Sequence, residues 1–319
     1  MKAIDIIRER KQISAHELAI ALGISRQAIF KQLNKLVEKG EITKLGRAPK
    51  VFYAIAEKKE SSNKKEVMVP QFNLIEKNYL FISPLGEVIY GMKGFQEWCE
   101  RNGFDVVKFA HKYEEIFKKN EQFRVHDLID GMPKMKSTFK EVYLDEVYYL
   151  DFYSIEIFGK TKLGNLLLYA KQSQNLALMK KIFDEIKMPM LNLIKTKKID
   201  ALGFVPPTVK RELQFMRELQ RNFSDILPIV KLTKLKQEIV VPQKTLVKLA
   251  DRIENARKSI LVEERDRYKR ILLIDDAIGS GATLNEVARN LRENGLGKDK
   301  IVGLALTGSF KGFDVISEV

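Results

Sequence analysis

The sequence predicts an α/β protein of several domains, and three features of its 319 residues carry that reading. Helical periods fill positions 1–56 and close on two short alternating segments. A polar, charged stretch at 57–70 has almost nothing to bury and reads as a linker. From 199 onward the pattern becomes strand, helix, strand, which predicts a parallel sheet. Between linker and sheet, 71–198 mixes helical and strand patterns as an α+β region of unassigned role. The expected division is therefore 1–56, 57–70, 71–198 and 199–319.

The N-terminal elements follow from local signals. A first helix over 2–10 offers Ile4, Ile6 and Ile7 to a core. Ser14 caps a second helix, and Glu17 three residues later completes a capping box. Leu18, Ala19 and Leu22 follow, and Gly23 suits the left-handed stop. Ile24 is expected as a buried turn residue. Ser25 then caps a third helix over 26–39, ended by Gly40. On that helix Ala28, Ile29, Leu33 and Leu36 are assigned to the core. Ser25, Arg26, Gln27, Lys31 and Asn34 are left as its exposed polar set. Strands over 41–45 and 51–55 form a hairpin whose connection carries Arg47 and Lys50.

Three helices followed by a β-hairpin is the order of a winged helix-turn-helix. The segment 24–33 resembles the recognition helix of bacterial winged-helix repressors, including the biotin repressor type. The resemblance covers about the first 55 residues. It implies a third helix laid in the major groove of double-stranded DNA. Ser25, Arg26, Gln27, Lys31 and Asn34 would then face base edges, with Arg47 and Lys50 at phosphates.

Charge agrees with a polyanionic partner. The chain holds 56 Lys and Arg against 42 Asp and Glu, a net +14. Residues 1–66 carry 15 basic and 8 acidic side chains, so half of that excess (+7) sits in a fifth of the chain. The single cysteine, Cys99, excludes a disulfide framework and fits a reducing compartment. His16, His111 and His126 are scattered, without metal-ligand spacing. No apolar run approaches the ~18 residues of a membrane span, and the charged N-terminus lacks a signal-peptide core. A cytoplasmic protein without membrane attachment is expected.

The middle region carries no chemical motif. Positions 139–158 read as half-buried strand, with Tyr148, Tyr149, Phe152 and Tyr153 assigned to packing or a pocket. Positions 174–197 have helical spacing, which Pro189 is expected to kink or break. Trp98 is expected on a helix after Gly94. The region is read as a hood, an effector site or a dimer interface.

The C-terminal third holds the densest chemistry. Arg270, Ile271, Leu272, Leu273 and Ile274 form an apolar run too short for a helix and predict a buried parallel strand. It ends in Asp275 and Asp276. A small-residue turn of Ala277, Ile278, Gly279, Ser280, Gly281, Ala282 and Thr283 follows, with a helix from about Leu284. Glycines let backbone N–H groups approach an anion, the hydroxyls add donors, and the helix N-terminus adds its dipole. That makes a phosphate cradle. The two carboxylates suit ribose hydroxyls beside it, directly or through Mg²⁺. A dinucleotide fingerprint needs a third glycine and a later acid, and a Walker loop needs Gly-Lys-Ser/Thr; neither is present.

The segment resembles the phosphoribosyl pyrophosphate (PRPP) motif of type I phosphoribosyltransferases. Val205, Pro206, Pro207, Arg211, Phe215, Gln243, Arg252 and Asn255 precede it in an order similar to that of the ComF family, over about 199–307. The resemblance implies a parallel α/β domain that binds PRPP with Mg²⁺. Asp275 and Asp276 would hold the ribose, and 279–283 the 5′-phosphate. Pro206 and Pro207 would form the pyrophosphate-side loop, with Lys210, Arg211 and Arg252 neutralising its oxygens. The chain departs from the family pattern at Glu212, Leu213 and Gln214 and at Met216 and Arg217.

Two functions follow. One is a homodimeric DNA-binding regulator with PRPP or a nucleotide as effector, an architecture with precedent in purine repressors. The other is an active phosphoribosyltransferase with an attached winged helix. A role in handling nucleic acid during DNA uptake is implied by the ComF likeness alone.

Overall fold

Two units make up the chain, 1–68 and 69–319. The computed structural model describes residues 2–47, 50–56, 72–235, 241, 245–264 and 266–309. The expected linker 57–70 lies outside the described residues, as does Gln243.

In the smaller unit, α1 (Ala3–Arg10) leads into a short strand β1 (Gln12–Ser14). Ser14 then starts α2 (Ala15–Leu22): its hydroxyl accepts from Glu17 N, and the Glu17 carboxylate accepts from Ser14 N at 2.9 Å. Gly23 stops α2 in the left-handed conformation, φ 64°. Ser25 opens α3 (Arg26–Glu38), its Oγ accepting from Ala28 N at 3.2 Å. The chain closes with β2 (Ile42–Arg47) and β3 (Lys50–Ile55), antiparallel from Ile42↔Ile55 to Arg47↔Lys50. The third strand of this sheet is β1, which pairs with β3 on its other edge. β1 has no signature in the local pattern, because three residues are too short to show a period. Ile6, Ile7, Ile13, Leu18, Ile29, Leu33, Ile42 and Tyr53 share one core. Ala28, expected inside, is exposed.

In the larger unit the elements run α4 (Asn73–Asn78), β4 (Leu80–Ile82), β5 (Val88–Tyr90), α5 (Gly91–Arg101) and α6 (Val106–Glu121). They continue as β6 (Arg124–Val125), β7 (Leu128–Asp130), α7 (Met132–Thr138), β8 (Glu146–Phe152), α8 (Lys162–Ser173) and α9 (Leu176–Lys197). The last third holds β9 (Ala201–Phe204), α10 (Phe215–Phe223), β10 (Ile229–Val230), β11 (Leu232–Lys234), α11 (Leu249–Ser259), β12 (Ile260–Val262), β13 (Arg270–Ile278), α12 (Ala282–Glu293) and β14 (Lys300–Gly308). Seven strands form one sheet in the order β10-β9-β13-β14-β8-β7-β6, parallel from β10 to β8 and antiparallel at β7 and β6. The fold is mixed α/β around this sheet.

The boundary expected at 198/199 falls inside this sheet. β8, from the middle region, pairs with β14 along Val302↔Glu146 to Gly308↔Phe152. Strand pairing of this kind has no signature in local sequence texture, which is why 71–198 looked separate.

Alternate residues of β13 serve opposite faces. Leu272 and Ile274 join a core with α8, α9 and α10, while Ile271 and Leu273 join another with α12. Covering both faces produces the unbroken apolar run that marked this strand. Helix α9 runs from Leu176 to Lys197 with Pro189 inside it, so of the expected kink or break the break does not occur. Ile182, Ile186, Met190 and Leu193 are all buried around it. At about 1.5–3 kcal/mol each, their burial outweighs the ~3 kcal/mol cost of an interior proline. Trp98 lies on α5 within an aromatic cluster with Phe95, Phe104 and Phe158, a packing role. Among the described residues no helix is long and apolar enough to cross a membrane.

Candidate functional site

The sheet has a topological switch point between β9 and β13. From β9 the chain crosses through α10 to β10 on one side; from β13 it crosses through α12 to β14 on the other. Right-handed crossovers in opposite directions put α10 and α12 on opposite faces, as the two cores show. The loops leaving the carboxyl ends of two such strands diverge and leave a crevice, the usual ligand position in open α/β sheets. β9 makes its last pair at Phe204↔Ile274, whereas β13 continues to Ile278. Asp275 and Asp276 therefore come immediately after β9 has left the sheet.

The predicted residues of 205–211 and 275–281 lie at the neighbouring carboxyl ends of β9 and β13, where such a crevice is expected. On the β9 side lie Val205, Pro206, Pro207, Lys210 and Arg211; Lys210 is exposed and Arg211 half-buried. Gln214 closes this loop on itself, donating to Val209 O at 2.9 Å and Arg211 O at 3.3 Å. On the β13 side Asp275, Asp276, Ala277 and Ile278 belong to the strand, which runs four residues further than expected. It does so because β14 stays paired beside it as far as Ile278↔Gly308.

The turn after β13 is only Gly279, Ser280 and Gly281, since α12 begins at Ala282 rather than near Leu284. Ser280 is buried, and its Oγ accepts from Ala282 N at 3.3 Å. Gly281 has φ 85°, and a Cβ there would collide with the Met135 sulfur of α7. The left-handed backbone conformation favours glycine, while the collision falls on the flexible end of the Met135 side chain. Gly279 is exposed, and a Cβ on it would lie 3.8 Å from Arg252 Nη1. Arg252, predicted for the pyrophosphate side, therefore stands against the glycine turn, with its Nε donating to Leu246 O at 2.6 Å. Thr283 is half-buried in the first turn of α12. From α12, Asn285 donates to Glu141 O and accepts from Tyr143 N, tying the chain before β8 to the helix that holds the turn.

The acidic pair is electrostatically strained. Burial pushes the Asp275 carboxyl up to about 7, and the neighbouring Asp276 charge adds to the shift. The Asp276 backbone N–H, which donates to Asp275 Oδ1 at 2.8 Å, and the Lys171 ammonium oppose it. Lys171, on α8, reaches Asp276 Oδ2 at 2.6 Å, with side-chain exposures of 24% and 21%. Sequence reasoning missed this residue, which sits in the region without a motif. It also missed Lys234, whose Nζ donates to Thr208 Oγ1 at 3.4 Å beside the β9 loop. Burial lowers the pKa of Lys234, as it does that of Arg252. No local pattern separates either lysine from a solvated one.

No protein-family model matches this chain, and no curated protein does. Tyr149 and Phe152 are buried in the core, and Tyr148 is half-buried, its hydroxyl donating to Glu146 at 3.0 Å. Of the two roles expected for these aromatics, packing is the one seen for Tyr149 and Phe152.

These strand ends bring together paired carboxylates, a glycine turn at a helix start, and cations from the loops around them. A directly held Mg²⁺ fits less well, because an ammonium already neutralises Asp276. Among the described residues no three His, Cys, Asp or Glu side chains gather as a metal set.

The exposed face of α3 is the second candidate. Ser25, Arg26, Gln27, Lys31 and Asn34 are all exposed, while Ile29 and Leu33 are buried. Phe30 lies among the polar residues with 45% of its surface exposed, one turn from Arg26 and one from Asn34. Lys50 is exposed at the start of β3; Arg47 ends β2, its side chain outside the described set.

Proposed function

We propose that this protein is a DNA-binding transcription regulator whose larger unit binds PRPP, or a nucleotide of the same phosphoribosyl chemistry, as effector. The observation that carries the reading is the switch-point crevice, with Asp275 and Asp276 on the strand and the glycine turn behind them. In this reading the 5′-phosphate is held by backbone N–H groups of 279–283 and by the start of α12. The carboxylates accept from the ribose hydroxyls. Lys234, Lys210 and Arg211 neutralise the pyrophosphate oxygens, and Arg252, beside the Gly279 turn, adds its charge on the 5′-phosphate side.

The smaller unit is read as a winged helix, supported by its helix order and by the polar face of α3. Arg26, Gln27, Lys31 and Asn34 suit base edges, and Phe30 suits a thymine methyl. A homodimer presenting two such helices suits a two-fold operator.

A sensor is favoured over a transferase by the start of α10. Where the ComF-like pattern carries Asn after its Phe, Met216 is buried and packs in the core shared with α9. That stretch is spent on packing rather than on reaching a ligand.

Two assays test the proposal. Duplexes selected from a random pool are titrated in a gel shift with and without PRPP, and the midpoint is expected to move. A midpoint that ignores PRPP and nucleotides contradicts ligand gating. Steady pyrophosphate release from PRPP with candidate bases or amines would replace the sensor by the transferase.

A further inference from the structure

We infer that Lys171 is a tethered counter-cation of the acidic pair, which takes the place of a divalent ion and lets the crevice bind its ligand without Mg²⁺. The inference rests on the proposed phosphoribosyl site, but its central test does not need that ligand.

Lys171 is placed by the scaffold and not by chance. Leu166, Leu167 and Ala170 of the same helix are fully or almost fully buried, so α8 is fixed against the sheet. Its Nζ stands 2.6 Å from Asp276 Oδ2, and both side chains are about three-quarters shielded. Three residues on, Gln174 caps α8 in the left-handed conformation and accepts from Leu213 N at 2.8 Å. The end of α8 therefore holds the β13 wall through Lys171 and the β9 wall, beside the Gln214-closed loop, through Gln174.

An ammonium on Asp276 does part of what a divalent ion would do there. It neutralises one carboxylate of a repelling pair. Because it is attached to the same scaffold, it competes with a dissolved cation as though present at millimolar concentration or more. A metal must displace it before using Asp276.

The test is a calorimetric titration with Mn²⁺ alone, in the absence of PRPP, on the full chain near neutral pH. Lys171→Met keeps most of the apolar stem and removes the charge. It is expected to bind Mn²⁺ about tenfold or more tighter than wild type. Lys171→Met/Asp276→Asn is expected to lose that gain. A Lys171→Met variant that binds Mn²⁺ no better than wild type overturns the inference, as does a gain that survives in the double variant. Lys171→Gln repeats the measurement if the methionine variant melts early.

A second titration uses PRPP in EDTA and in Mg²⁺. Wild type is expected to bind within about threefold in the two buffers, and Lys171→Met to lose about tenfold in EDTA and recover in Mg²⁺. Wild-type binding that vanishes in EDTA overturns the inference. Wild type that binds PRPP in neither buffer overturns the proposed function instead, and the Mn²⁺ titration then decides Lys171 by itself.

Discussion

Asp275 and Asp276 concentrate the energetics of the crevice in two adjacent side chains. Burial and the Asp276 charge raise the Asp275 carboxyl from its ordinary 3.8 to about 7. A carboxyl raised on folding binds its proton more tightly in the native state, so the unfolded chain ionises first as pH rises. Its contribution to stability is present below about pH 4 and falls away as pH climbs toward 7. Asp275→Asn should therefore melt higher than wild type at about pH 8, with the difference closing toward about pH 4. Each kcal/mol recovered is worth about 2–4 °C in a chain of this size. Equal pH profiles for the two proteins would show that Asp275 is not strained. Gly281→Ala is expected to lose at least about 1–2 kcal/mol from the left-handed backbone alone. Met135→Ala in the same chain should relieve the collision but not the backbone cost, as denaturant unfolding would show. The acidic pair and the glycine turn were legible in the sequence because they are consecutive. Lys171, Lys234 and Met135 reach the same crevice from three other elements, and nothing within a few residues of any of them marks the destination.

At the scale of elements, the start and stop signals of the smaller unit read correctly. Ser14 and Glu17 cap α2 reciprocally, Gly23 ends it, and Ser25 caps α3. Ser14→Ala should cost about 1 kcal/mol, measured by thermal unfolding of the full chain. These signals are hydrogen bonds between neighbours, so sequence carries them whole. The misreadings involve partners far along the chain. β1 exists because β3 offers an edge, β13 continues past its acids because β14 stays beside it, and α9 survives Pro189 because its stripe is buried. For α3, the proposed role predicts that Arg26→Ala weakens binding to a selected duplex by about 1–3 kcal/mol and relaxes base preference. Lys50→Ala should weaken binding evenly across sequences and reduce the salt slope by about one ion. Identical affinities and slopes for both variants and wild type would remove the α3 face from the account.

Over the whole molecule, the proposed site depends on where the strand order of one sheet reverses. The strand, helix, strand pattern of the last third predicted a parallel sheet, and four of the seven strands were within reach of that reading. The other three come from the stretch set apart as a middle region, because pairing across about 150 residues leaves no periodicity to find. The switch point between β9 and β13 is likewise a property of strand order, visible only once the sheet is assembled. It turns two separate motifs, the 205–214 loop and the 275–283 segment, into facing walls. If the larger unit senses PRPP, linkage requires the ligand to shift the DNA-binding midpoint by the same factor that DNA shifts ligand affinity, about 5–150-fold for ordinary coupling. The most direct test of the central claim is calorimetry with PRPP on wild type and on Asp275→Asn/Asp276→Asn, each shown to be folded by circular dichroism. One saturable site per chain is expected in wild type, with its loss in the double variant; binding unchanged by removal of both carboxylates would contradict the proposed site.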